Sequence, residues 1–160
     1  MEKGVELYQN ELGGMKVKIL YISISGNTRS FVQRLATYAC DKYNMKIEIK
    51  EIHENSAFED ETTPFVTFVP TYLDGGNGVD NGDTEILTEA MRDYLEHHDN
   101  YRYCLGVVGS GNKNFNHQYC LTAKQYAQKF NFPFLADYEL RGTQEDLERV
   151  CRILAELINK

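Results

Sequence analysis

The chain has 160 residues, a formal net charge of −7, 42% hydrophobic residues and 12% aromatic residues. These values fit one globular domain with a sizeable core and exclude a disordered chain. An acidic balance excludes the basic footprint of a duplex nucleic-acid binder. No apolar run approaches the ~18 residues of a membrane span, and residues 1–15 hold no signal-peptide core. The expected location is therefore cytoplasmic, with neither nucleic acid nor membrane as partner.

Residues 1–14 stand outside the pattern that follows and read as an N-terminal appendage to a domain spanning 15–160. Lys16–Ile22 is apolar and reads as a strand. Thr28–Tyr43 reads as a helix with Phe31, Val32, Leu35 and Ala39 on one face. Lys46–Ile52 alternates, with Ile47 and Ile49 against charged neighbours. Phe65–Val69 is a short β-branched and aromatic run. Thr84–His98 carries Ile86, Leu87, Ala90, Met91, Tyr94 and Leu95 in helical register. Tyr103–Val108 reads as a buried strand and His117–Phe130 as a helix. Phe134–Leu140 alternates again, and Thr143–Asn159 closes as a helix with Thr143 as N-cap and Asp146 three residues later.

This alternation of strands and helices predicts an α/β fold: a doubly wound, five-stranded parallel sheet with helices on both faces. Runs one, three and four are continuously apolar, as strands covered on both faces should be, whereas runs two and five alternate as edges do. The strand order 2-1-3-4-5 follows. Its switch point lies between strands one and three, and ligands bind there outside the carboxyl ends of the strands.

Three unusual loops reach that point. Ser23-Ile24-Ser25-Gly26-Asn27-Thr28 joins strand one to a helix start, offering hydroxyls, backbone amides and the helix dipole to an anion. No Walker lysine follows the glycine, so a single phosphate, as on a mononucleotide, fits better than a triphosphate. The second loop runs from Pro70 to Asp83 with Gly75, Gly76, Gly78 and Gly82, and its backbone can approach a planar ligand and flip peptides. The third, Gly109-Ser110-Gly111-Asn112-Lys113-Asn114-Phe115-Asn116, has Asn114 where a dinucleotide fingerprint needs its third glycine. Tyr72 and Phe115 could cover a ring face or simply pack.

Other chemistries of this strand order lack their residues. No cysteine follows strand one for a low-molecular-weight phosphatase, and strands one and three end in Ser23 and Pro70-Thr71 rather than a receiver domain's aspartates. Cys40, Cys104, Cys120 and Cys151 contain no CxxC pair and read as small buried hydrophobes. His53, His97, His98 and His117 show no ligand spacing around carboxylates, so no metal is expected, and His97-His98 reads as a solvated helix end. FMN remains as the expected cofactor.

The chain resembles the flavodoxin-like NrdI family from about Lys16 to Asn159. The resemblance rests on Ser25-Gly26-Asn27-Thr28, Pro70-Thr71-Tyr72, Gly109 to Phe115, and Glu139-Leu140-Arg141-Gly142-Thr143-Gln144. It implies a flavodoxin-like fold and an FMN protein serving class Ib ribonucleotide reductase. Superoxide from reduced flavin and molecular oxygen would assemble the dimanganese–tyrosyl radical cofactor of the radical-bearing small subunit, with a flavin reductase or other donor supplying electrons. Such a protein is a redox activator rather than a stand-alone enzyme, its chemistry carried by FMN rather than by a catalytic side chain. The phosphate site would be Ser23, Ser25, Gly26, Asn27 and Thr28. The ring site would be Thr71, Tyr72, Gly75, Gly76, Ser110, Gly111, Asn112, Phe115 and Asn116. The second loop is acidic through Asp74, Asp80, Asp83 and Glu85, and negative charge near the ring would favour a general low-potential electron-transfer flavodoxin instead. An FMN-dependent NAD(P)H reductase would need a nicotinamide site that the sequence does not display.

Overall fold

Strands and helices alternate, except between the second and third strands, in a computed structural model that describes residues 14–73 and 84–159, with the side chains of residues 115–117 outside the description. In order they are β1 (Met15–Tyr21), α1 (Asn27–Tyr43), β2 (Met45–Glu51), β3 (Phe65–Pro70), α2 (Glu89–Glu96), β4 (Cys104–Gly111), α3 (Leu121–Phe130), β5 (Phe134–Glu139) and α4 (Gln144–Ile158). The strands pair in parallel as β2-β1-β3-β4-β5, the expected order. Burial follows position: β3 is buried at every residue, while the edge strands β2 and β5 are half exposed.

Strand alternation divides the core into two layers. Val17, Ile19, Tyr21, Val66 and Phe68 face α1 and α4, meeting Phe31, Leu35, Val150, Cys151 and Leu154. Leu20, Ile22, Phe65, Val69 and Val107 face the opposite way, toward Met91, Tyr94 and Leu95 of α2 and Ala123, Tyr126 and Phe130 of α3. Thr143 caps α4 as its spacing predicts. The Asp146 amide donates to Thr143 Oγ1 (3.2 Å) and the Thr143 amide donates to Asp146 Oδ2 (2.8 Å).

No regular structure occupies residues 52–64 between β2 and β3. This segment is held by the buried Glu61 carboxylate, which accepts from Lys18 Nζ (2.6 Å), Lys50 Nζ (2.8 Å) and Tyr94 Oη (2.5 Å). The Glu61 amide donates to Asn100 Oδ1 at 2.8 Å.

Four expectations need correction. The helix expected from Thr84 begins only at Glu89, because Glu85 pairs with Leu73 in an antiparallel bridge and Leu87 turns left-handed at φ 69°. The helix expected from His117 begins at Leu121, after a 3-10 segment at Lys113–Gln118 and a left-handed Cys120 (φ 57°). Strand β4 runs on to Gly111 rather than ending at Val108, since Gly109, Ser110 and Gly111 still pair with β5. Cys40 is exposed; the other three cysteines are buried, and burial pushes the Cys104 and Cys120 thiols up to about 12 and that of Cys151 to about 11. Buried in this way they pack as small apolar groups.

Candidate functional site

The carboxyl ends of β1, β3 and β4 bring together at one rim the first loop, the described start of the second at residues 70–73, and the third. Gly26 stands at the N-cap of α1 with φ 93°, a conformation open to glycine without a Cβ penalty. A Cβ built there would meet nothing within 4 Å among the described residues, so the glycine serves backbone conformation rather than close packing. No side chain caps α1 at that position and no acidic residue occupies its first turn. Of the first-turn amides, that of Arg29 donates to Ser23 Oγ (3.2 Å). Those of Gly26, Asn27 and Thr28 have no acceptor among the described residues, as is usual at a helix start, and can face a ligand.

The loops are tied to one another. Tyr72 Oη donates to Ser25 Oγ (3.1 Å), joining the second loop to the first. The Thr71 amide donates to the Ser110 carbonyl (3.0 Å), and Thr71 Oγ1 accepts the Thr122 amide (3.2 Å), capping the start of α3. The Lys113 amide donates to Glu139 Oε2 (3.0 Å), the Leu140 amide donates to the Gly111 carbonyl (3.0 Å), and Asn112 Oδ1 accepts the Asn114 amide (2.9 Å). The Glu139–Gln144 stretch therefore supports the third loop and starts α4.

Among the predicted site residues, Ser23, Ser25, Gly26, Asn27, Thr28, Thr71, Tyr72, Ser110, Gly111 and Asn112 converge here. Thr28 and Ser110 are buried. Gly75 and Gly76 lie outside the described residues, as do the acidic Asp74, Asp80 and Asp83; for Phe115 and Asn116 only the backbone is described. Gly109 and Gly111 also have a packing role. A Cβ on Gly109 would stand 2.6 Å from Ala123 Cβ, and one on Gly111 would stand 3.0 Å from the Cys120 nitrogen, so both let α3 close on β4. Glu85 is not part of an acidic rim. It is buried and accepts from Thr88 Oγ1 (2.5 Å), Arg92 Nη1 (2.9 Å) and Tyr126 Oη (2.6 Å). Together with the Ile86 amide bond to the Tyr72 carbonyl (3.0 Å), it closes the base of the glycine-rich loop.

Sequence reasoning missed Arg141, which reaches the first turn of α1 and donates to Ser30 Oγ (2.9 Å), placing a cation beside the uncapped helix end. It also missed Tyr138, stacked on Phe31 with ring centroids 3.8 Å apart. Its position in an alternating edge strand carried no hint of that contact.

A model of the NrdI flavodoxin-like family matches residues 19–152. An NrdI-like protein of Streptococcus pyogenes serotype M18 is 53% identical over 143 residues, covering 85% of this chain and 90% of that one. Protein NrdI of Mycoplasmopsis pulmonis is 33% identical over 141 residues, covering 88% and 85%. The chain belongs to the NrdI flavodoxin-like family. Among solved structures, oxidised flavodoxin 2 from Bacillus cereus superposes with a TM-score of 0.59 at 22% identity, covering 90% of this chain and 97% of that one. That likeness is one of fold.

Membership in this family and the flavodoxin-like fold imply a flavin cofactor. The residues present fit one. The uncapped N-terminus of α1, with open space at Gly26 among the described residues and no carboxylate in its first turn, suits a phosphate. Two buried hydroxyls nearby, Thr122 Oγ1 and Tyr138 Oη, have no hydrogen-bond partner among the described residues. Burial pushes the Tyr138 hydroxyl up, and the Ser110 and Thr28 hydroxyls offset part of that without reaching hydrogen-bond geometry. Buried groups of this kind call for a partner. No helix among the described residues is long and apolar enough to cross a membrane.

Proposed function

We propose that this NrdI-family chain binds FMN at the rim and supports class Ib ribonucleotide reductase as a cytoplasmic redox activator. The carrying observation is the convergence of the uncapped α1 N-terminus with the β3 and β4 loops in a chain of this family. The amides of Gly26, Asn27 and Thr28 and the hydroxyls of Ser23 and Ser25 would hold the phosphate, with Arg141 adding a charge close by. Thr71, Tyr72, Ser110, Gly111, Asn112, Phe115 and Asn116 would hold the ring, with Gly75 and Gly76 supplying backbone able to change conformation beside it. A flavin held here would supply electron transfer from a flavin reductase or another donor to molecular oxygen, and the superoxide formed would serve the manganese-loaded small subunit. The protein's part is to orient the ring and leave its edge open to that partner.

The test mixes reduced protein, manganese-loaded class Ib small subunit and oxygen, and counts tyrosyl radical by electron paramagnetic resonance. Radical well above that obtained with a reduced generic flavodoxin is the expected result. A yield no higher than that control would reject the activator role and leave a general electron-transfer flavodoxin.

A further inference from the structure

Three side chains of ligand type meet where α2 ends, away from the rim. Helix α2 stops at Glu96, and the chain turns through His98 and Asp99, both left-handed at φ 47° and 60°. In a continuing helix, adjacent side chains would point about 100° apart. Here the break folds the two imidazoles onto each other, with ring centroids 3.9 Å apart. Both face one carboxylate oxygen from the helix-free segment 52–64: Asp60 Oδ1 lies 3.1 Å from His97 Nε2 and 2.7 Å from His98 Nδ1. Phe58 stacks on His97 at 5.1 Å and holds that ring in place. The three ligand atoms all lie within 4.8 Å of one another. Sequence spacing hid the cluster because Asp60 stands 38 residues before His98.

We propose that Asp60, His97 and His98 form a binding site for a divalent transition metal of the zinc type. Two imidazoles and one carboxylate suit zinc, nickel, cobalt or copper, whereas magnesium and calcium prefer all-oxygen sites. Three protein ligands leave a fourth tetrahedral position for water. Metal–ligand bonds of about 2.0–2.2 Å place tetrahedral ligands about 3.3–3.5 Å apart. The present separations from Asp60 fall just below that, and widening them by under about 1 Å suffices there. Stacked rings cannot both aim their in-plane lone pairs at one ion, so binding also requires the His98 ring to swing off the face of His97. Asp60 and His98 are the exposed members and are free to make that adjustment; His97, half-buried under Phe58, is the fixed one. Each ring would present its lone pair at the atom that now faces Asp60, carrying its proton on the other nitrogen. The bound ion would fasten the end of α2 to the one sheet connection without a helix, beside the Glu61 anchor, and stabilise the fold by mass action.

The experiment titrates the untagged full-length chain with zinc chloride by calorimetry at neutral pH, alongside Cys40→Ser, which removes the exposed thiol. One saturable site is expected in both. His97→Phe keeps a ring against Phe58 but offers no donor, and His98→Gln alters an exposed position; each is expected to weaken zinc by at least about tenfold. Zinc should raise the Tm of the parent and of Cys40→Ser but not that of His98→Gln. Cobalt(II) should give ligand-field absorption with no thiolate charge-transfer band. Unchanged affinity in both histidine variants, loss of binding in Cys40→Ser, a thiolate band, or no saturation at millimolar zinc would each overturn the proposal.

Discussion

On one face of the sheet, α1 and α4 close over β1 and β3 with aliphatic and aromatic side chains from end to end. On the other face, α2 and α3 cover β3 and β4, while the Lys18 and Lys50 positions of β1 and β2 are sealed by residues 52–64 through Glu61. The first face owes its stability to area removed from water, a non-directional effect that tolerates small shifts. The second has an apolar core under α2 and α3 as well, but over β1 and β2 it depends on a buried carboxylate meeting two ammonium groups and a phenol at set distances, and is weakened if one partner is removed. The difference teaches that a sheet face can be closed without a helix, at the cost of a seal sensitive to charge.

Substitution should separate the two faces. Leu154→Ala, at a fully buried α4 position, is expected to cost about 2–5 kcal/mol in urea unfolding, whatever the pH. Glu61→Gln should cost less, about 1–3 kcal/mol, because Lys18 and Lys50 keep partial access to water when their counter-charge goes.

The smaller effect carries the sharper signature. Burial alone would raise the Glu61 carboxyl, but hydrogen bonds from Lys18, Lys50 and Tyr94 outweigh it and hold it below the usual carboxylate range. Tyr94 in turn is pushed up to about 12, by burial first and then by its bond to Glu61. A carboxyl depressed in the folded state stabilises above its unfolded pKa, and that contribution is lost as pH falls through the folded pKa. The stability gap between parent and Glu61→Gln should therefore shrink in acid while the Leu154→Ala gap stays level. A Glu61 gap that is constant into strong acid would remove the charge-based account of this face.

The same contrast marks what the sequence made legible. The apolar face, the strand order and the Thr143 cap follow from periodicity and from contacts within a few residues, and all three were readable. Glu61 is separated from Lys18 by 43 residues and carries no period, so its role was invisible. The start of α2 was misplaced because apolar Ile86 and Leu87 continue the stripe while Glu85, bonded to distant Tyr126, holds the backbone out of the helix. The start of α3 was misplaced because a 3-10 segment and a left-handed Cys120 precede Leu121. At the rim, the glycine and hydroxyl turn was readable because it is local. Arg141 was not, since only the fold brings it to α1. Thr71 was read as a ring neighbour, yet its hydroxyl caps α3 through Thr122.

The central claim is that the rim holds a flavin by its phosphate, at the uncapped start of α1. The most direct measurement is the affinity of the apoprotein for FMN and for riboflavin, which lacks the phosphate, followed by flavin fluorescence. Two charge-assisted hydrogen bonds of about 1.5 kcal/mol each correspond to a preference of about a hundredfold. FMN is expected to bind at least that much more tightly. Equal affinities for the two flavins would contradict it.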